Sequence, residues 1–246
     1  MTLTPAQNYA RTRSLGKFPK TRKFAESFPF ELDPFQVEAC HALESGKGVL
    51  VAAPTGAGKT IVGEFAVDLV IGSGGKCFYT TPIKALSNQK FAELTAKYGK
   101  EKVGLLTGDT NNNSDAQIVV MTTEVLRNMI YANSQSLRDL GFVVMDEVHY
   151  LADRFRGAVW EEVILHLPKD VKVVSLSATV SNAEEFGEWL GEVRGETEVI
   201  VSEIRPIPLF QHVLIGNRLL VAVVVTGRAV TAIKQFESVV IDVVSG

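Results

Sequence analysis

The stretch Ala53-Pro-Thr-Gly-Ala-Gly-Lys-Thr60 brings two glycines, a lysine and a threonine together. Gly56 and Gly58 let the backbone curl so that successive N–H groups point inward, which suits a cluster of phosphate oxygens. A helix starting at the end of such a loop adds the positive end of its dipole. Lys59 can then reach the β- and γ-phosphates, and the Thr60 hydroxyl can ligate Mg²⁺. The usual spacing is G-x-x-x-x-G-K-[ST]. Ala53 stands where that pattern has its first glycine, so the strict form fails at one position while both loop-curling glycines remain. Pro54, Thr55, Gly56, Ala57, Gly58, Lys59 and Thr60 are the candidate nucleotide-binding residues, and ATP with Mg²⁺ is the ligand they suit.

A second constellation lies in Phe142-Val-Val-Met-Asp-Glu-Val-His149. The apolar run predicts a buried strand, with Asp146 and Glu147 at its C-terminal end, the edge where open α/β sheets bind ligands. Adjacent carboxylates beside a charged nucleotide need a metal to offset their repulsion. Asp146 is therefore the expected Mg²⁺ partner, directly or at one remove. Glu147 is the expected group that orients and deprotonates an attacking water. The D-E-x-H spacing places His149 toward the γ-phosphate side.

These residues need a scaffold, and the hydrophobic pattern supplies one. Strands are predicted over Gly48–Ala53, Cys77–Thr80, Val103–Leu106, Ile118–Met121, Phe142–Asp146, Val171–Leu176 and Val199–Val201. Helices are predicted over Phe35–Leu43, Lys59–Val70, Pro82–Tyr98, Thr123–Asn133, Gly157–Leu167 and Asn182–Leu190, with Asp109–Asp115 a loop. Strands that are apolar throughout and alternate with helices indicate an α/β fold, a parallel sheet covered on both faces.

The chain has 246 residues, 46% of them hydrophobic, enough for a real core. Its longest apolar run, Leu219 to Val225, is far short of the roughly 20 residues that span a bilayer. The reading is thus of a protein with no membrane partner. Cys40 and Cys77 cannot build a disulfide framework or a zinc cage alone; as buried thiols they suit a reducing, cytoplasmic setting. Residues 1–25 carry Arg11, Arg13, Lys17, Lys20, Arg22 and Lys23 and no acid, so the rest of the chain is acidic within a net charge of −3. This predicts a flexible basic leader that either touches phosphates or is simply solvated. Bulk charge excludes a protein held to nucleic acid by its overall field; binding must use a local groove.

With these residues in place, the sequence resembles the superfamily 2 DEVH-box, Ski-like RNA helicases, and its HelY-type members in particular. Asp146-Glu-Val-His-Tyr-Leu-Ala-Asp-Arg-Phe-Arg-Gly157 with Val159-Trp-Glu-Glu162 is similar to that family's extended motif II. Thr80-Thr-Pro-Ile-Lys-Ala-Leu-Ser-Asn-Gln89, Met121-Thr-Thr-Glu-Val-Leu-Arg127 and Ser177-Ala-Thr179 resemble motifs Ia, Ib and III. Phe30-Glu-Leu-Asp-Pro-Phe-Gln36 resembles the adenine-reading segment, and Arg205-Pro-Ile-Pro-Leu209 the exit to a second domain.

The resemblance implies a RecA-like domain over residues 26–204, the first of two that close over ATP, followed by an exit linker at 205–220. It implies ATP-driven, 3′-to-5′ unwinding or translocation on single-stranded RNA or on an RNA duplex with a single-stranded end. Gln36 would read adenine through its amide, and Phe30 would either pack on the base or sit in the core. Thr81, Pro82, Lys84, Gly108, Thr122, Thr123 and Arg127 would line the nucleic-acid groove. Ser177, Ala178 and Thr179 would couple nucleotide state to that groove.

The arginine-rich Q-x-x-G-R-x-G-R segment of the family's second RecA-like domain is absent from the sequence, and residues 221–246 form an unmatched Val/Ile-rich tail that reads as extra strands. That tail would pack on the domain, mediate oligomerisation or be a scar of truncation. The expectation is a chain that binds ATP but turns it over weakly by itself. Two alternatives stand beside it. One is the domain of a superfamily 2 DNA helicase or translocase; the other is a stand-alone nucleotide-dependent nucleic-acid-binding module.

Overall fold

The computed structural model describes residues 17–152, 157–178 and 183–205, together with four short strands further on. The chain divides into two compact units, Met1–Ile204 and Arg205–Gly246. In the first unit the elements run α1 (Pro19–Ala25), α2 (Pro34–Glu44), β1 (Gly48–Ala52), α3 (Thr60–Ser73), β2 (Lys76–Thr81), α4 (Lys84–Tyr98), β3 (Val103–Leu106), β4 (Asn111–Asn112), β5 (Ile118–Thr122), α5 (Thr123–Tyr131), β6 (Leu140–Met145), α6 (Gly157–His166), β7 (Lys172–Ser177), α7 (Ala183–Arg194) and β8 (Thr197–Val201). The second unit contains two antiparallel pairs, β9 (His212–Ile215) with β10 (Arg218–Val221) and β11 (Ala229–Val230) with β12 (Asp242–Val243).

One eight-stranded sheet has the order β4-β3-β5-β2-β6-β7-β1-β8. All its neighbours pair in parallel except the short β4, which runs antiparallel to β3. Each central strand splits its apolar residues between two cores. Val51, Tyr79, Val120, Val144 and Val174 join Phe24, Leu43 and Phe65 on one face. Leu50, Phe78, Val119, Val143 and Val173 join Leu126, Trp160, Ile164 and Leu190 on the other. A side-chain period of two with both sides apolar is what a doubly covered parallel sheet demands.

Every predicted strand and helix is present, with ends shifted by a few residues. The largest shift is at α7, which runs four residues past Leu190 because Leu190 is buried and Arg194 is anchored beneath the helix. Two expectations are corrected. Asp109–Asp115 is not purely loop, since Asn111 and Asn112 pair with Leu106 and Leu105. Nor is all of 1–25 a flexible leader. The helix α1 buries Thr21 and Phe24, and Glu44 of α2 accepts bonds from the Lys20 and Thr21 amides (2.9 and 2.7 Å) and the Thr21 hydroxyl (2.7 Å). Seven residues are too few for a helical period to stand out from the surrounding positive charge. The expected leader over 1–16 and half of the exit segment, 206–211 and 216–217, fall outside the described residues, and the other half includes β9 and the first three residues of β10. Among the described residues no helix is long and apolar enough to cross a membrane.

Candidate functional site

Parallel strands all point the same way, so the loops after β1, β2, β5, β6 and β7 meet at one edge of the sheet. These loops carry most of the residues singled out from the sequence; Phe30 and Gln36 precede β1, and Gly108 follows β3. The β1 loop is tied to its neighbour by the Ala53 amide donating to Ser177 O (3.2 Å). The β6 end is tied to β2 by the Asp146 amide donating to Thr80 O (3.0 Å) and the Thr80 hydroxyl donating to Val144 O (3.1 Å). Strand β7 lies between β1 and β6. That separates the phosphate loop from Asp146 by two strand spacings, about 10 Å, enough for a ligand to sit between them.

The loop 53–60 has the curl its glycines predict. Gly56 and Gly58 lie at φ +84° and +82°, and a Cβ on Gly58 would meet Gln36 Nε2 at 2.7 Å. Of the amides from Thr55 to Thr60 only that of Ala57 donates to a backbone carbonyl among the described residues, that of Pro54 (3.1 Å). Amides left without backbone acceptors at a helix start have the chemistry to receive an anion. Lys59 is buried, and its ammonium bonds the Ala53 and Pro54 carbonyls (2.7 and 3.1 Å). Burial lowers its pKa, against the pull of the Glu147 and Asp146 carboxylates. Thr60 begins α3 and is half-exposed.

The acidic pair is held tightly. Asp146 Oδ2 accepts from the Tyr79 hydroxyl (3.0 Å), and Oδ1 from the Glu147 amide (3.0 Å). Burial raises the Asp146 pKa, the Tyr79 bond lowers it, and the nearby Glu147 charge raises it again. Glu147 sits at φ +57°, a left-handed conformation that costs a non-glycine residue on the order of 1 kcal/mol. His149 Nδ1 lies 3.3 Å from Glu147 Oε2 and accepts from the Ala178 amide (3.5 Å). So the D-E-x-H turn touches Ala178 directly; Thr179 lies outside the described residues. Ser177 is buried.

Gln36 sits against the phosphate loop. It is buried, its Oε1 accepts from the Asp33 amide (2.9 Å), and Nε2 donates to Ala57 O and Gly58 O (3.4 and 3.1 Å). Both amide hydrogens are thus spent on the phosphate loop. Reading adenine N6 and N7 together would require release of one of them; only the second lone pair of Oε1 is spare. Phe30 is 53% exposed and tilted against Phe28, so it is a surface ring rather than a core one.

The groove candidates divide into two groups. Thr81 and Thr123 are buried, and their hydroxyls are used internally. Thr81 bonds Ile83 O (3.1 Å) and Ser87 Oγ (2.7 Å), and Thr123 donates to Thr81 O (3.4 Å). Pro82 is buried as well. The hydroxyls of Thr81 and Thr123 are thus engaged within this edge of the sheet. Thr122 takes the N-cap position of α5 without a side-chain cap bond. Lys84 pairs with Asp109, beside the exposed Gly108, and Thr107 donates to the same carboxylate (2.9 Å). Arg127 bonds Asn128 Oδ1 (3.1 Å) and lies 3.8 Å from Glu162. The sequence reading missed Tyr79 and Asp109. Tyr79 lies inside an apolar strand and Asp109 in a polar loop, so neither stands out by spacing.

Residues 33–186 match the family described as DEAD/DEAH box helicase. The chain belongs to this family. This DEAD/DEAH box helicase chain is 68% identical over 197 residues to the probable helicase HelY of Mycobacterium leprae, covering 80% of the chain and 21% of that relative. It is 50% identical over 186 residues to the antiviral helicase SKI2 of Saccharomyces cerevisiae, covering 75% and 14%. The chain therefore spans about a fifth or less of these curated relatives. Among solved structures, the Mycobacterium smegmatis helicase Lhr bound to ssDNA and AMP-PNP superposes with TM-score 0.63 at 28% identity, over 77% of the chain and 28% of that structure. A hypothetical ATP-dependent RNA helicase from Sulfolobus tokodaii gives 0.58 at 20% identity. The fold is RecA-like, and the motif-level resemblance to Ski-like DExH helicases is a true one.

Proposed function

We propose that this domain binds ATP with Mg²⁺ and, within the complete protein, couples ATP hydrolysis to translocation on or unwinding of RNA. One observation carries the reading: a curled loop with unspent amides and a buried lysine stands at the same sheet edge as an anchored Asp-Glu-x-His turn. Among the described residues no group of three or more His, Cys, Asp or Glu could cage a metal. That suits Mg²⁺, which is bound through one or two carboxylates plus substrate phosphates. Thr60 and Asp146 are the residues that would hold it; when bound, it neutralises charge on the phosphate oxygens.

The loop amides and Lys59 receive the phosphates. Glu147, held in a strained turn by its own amide bond to Asp146, orients the attacking water and takes its proton. His149 and Ser177-Ala178-Thr179 pass the state of this site along the β6 and β7 ends. Gln36 braces the loop, and Phe30 offers a ring to the base. Lys84, Gly108, Thr122 and Arg127 grip the phosphates of the strand, contacts that carry no sequence information. A second RecA-like domain is the proposed partner that completes the site.

The test is nucleotide binding, ATPase and strand displacement with RNA added. The 246-residue chain should bind ATP–Mg²⁺ and turn it over slowly; absence of nucleotide binding would sink the reading. A DNA substrate is a second reading, supported by the relative solved with ssDNA. RNA and DNA strands of one sequence, titrated side by side, decide between them through the 2′-OH.

A further inference from the structure

We propose that Tyr79 is a positioning residue for the metal-side carboxylate, and that Lys90 holds Tyr79 in place from helix α4. The inference rests on the reading of Asp146 as a Mg²⁺ partner. Tyr79 lies wholly buried in β2, and its hydroxyl donates to Asp146 Oδ2 (3.0 Å). The remaining Asp146 oxygen takes the Glu147 amide, so the two bonds fix the plane of the carboxylate. Above the Tyr79 ring stands the Lys90 ammonium, 5.5 Å from the ring centre. Lys90 is itself buried, an uncommon place for a lysine, and pairs with Glu93 one turn on.

A cation over a tyrosine face is attracted to the ring, and the contact strengthens when water is excluded. A hydroxyl aimed at a carboxylate oxygen from a strand interior leaves that carboxylate one orientation. Partners that orient a metal ligand in this way typically set its metal affinity within a factor of about 10 to 100. A tyrosine needed only for packing would keep its ring beside Gly63 and lose nothing when the hydroxyl is removed.

The experiment uses the full chain, with mant-ADP fluorescence as the binding probe and Mg²⁺ as the titrant. Tyr79→Phe should raise the Mg²⁺ concentration for half-maximal Mg²⁺-dependent binding about tenfold, while mant-ADP affinity in EDTA stays at the parent value. Lys90→Met should shift it the same way by roughly twofold to fivefold. Asp146→Asn should abolish the Mg²⁺ dependence, and adding Tyr79→Phe to it should change nothing more. If Asp146→Asn keeps the parent's Mg²⁺ requirement, the reading of the site fails. If Asp146→Asn loses it while Tyr79→Phe matches the parent, the positioning role is wrong. Should Tyr79→Phe not fold, Lys90→Met decides: an unchanged Mg²⁺ requirement overturns the proposal.

Discussion

Gly58 shows how much one residue is asked to do. Its φ of +82° curls the phosphate loop, and its missing Cβ leaves room for Gln36 Nε2. Gly58→Ala should cost about 1–2 kcal/mol in the backbone alone and displace Gln36 as well, so thermal melts and nucleotide affinity should fall together. Lys59 and Glu147 separate binding from chemistry. Lys59→Ala should weaken ATP binding at least tenfold, since it removes the loop's only cation. Glu147→Gln keeps the shape of the turn and should bind ATP like the parent while losing hydrolysis; equilibrium titration beside a phosphate-release assay tells the two apart. The types of these residues were legible from spacing. The bond from Tyr79 to Asp146 was not, because 67 residues separate the partners and only sheet pairing brings them together.

At the scale of elements, two anchors hold the site's supports in place. Arg194, at the end of α7, donates to the carbonyls of Ile164 (3.4 Å), Leu167 (2.7 Å), Pro168 and Val171 (2.8 Å). It thus satisfies the end of α6 and the turn into β7. Arg194→Ala would leave buried carbonyls without partners, at about 1–3 kcal/mol. The urea midpoint should fall with an unchanged slope. The second anchor is α1 on α2, where His41 stacks on Phe18 at 4.0 Å. Burial lowers the His41 pKa from 6.5, and the Glu44 charge only partly offsets this. The folded chain thus binds that proton less readily than the unfolded one. The stability it contributes is whole above about pH 6.5 and is lost as pH falls through the lower folded value. Melting temperature should therefore drop between pH 7 and 5, and His41→Phe should flatten that part of the profile while keeping the stack. Neither anchor announced itself in the sequence: an arginine at a helix end reads as an exposed charge until the fold closes over it.

The molecule as a whole carries a net charge of −3, so nucleic acid meets no attractive bulk field. Of the groove candidates only Lys84 and Arg127 are cations, and both already have acidic neighbours. Affinity for a single strand should be modest and weakly salt-dependent, since each phosphate neutralised contributes a slope of about −0.7. A slope steeper than about −3 would show that other basic residues carry the contact. Turnover should stay low for this chain unaided, because a finger arginine supplied by a second domain is worth about 10³–10⁵ in rate and the sequence holds no Q-x-x-G-R-x-G-R segment. A steady-state ATPase assay with oligo-RNA checks it; rapid turnover by these 246 residues would contradict it. By itself the sequence determined the parallel α/β architecture, the phosphate loop and the Asp-Glu-x-His turn. Hydrophobic period and short-range spacing are local properties of the chain. Only the tertiary structure decided that Thr81 and Thr123 are buried, that Gln36 spends its amide on the loop, that His149 meets Ala178, and that Tyr79 and Lys90 stand behind Asp146. Those facts depend on which strands become neighbours in the sheet, and strand order is fixed by the packing of all the elements at once.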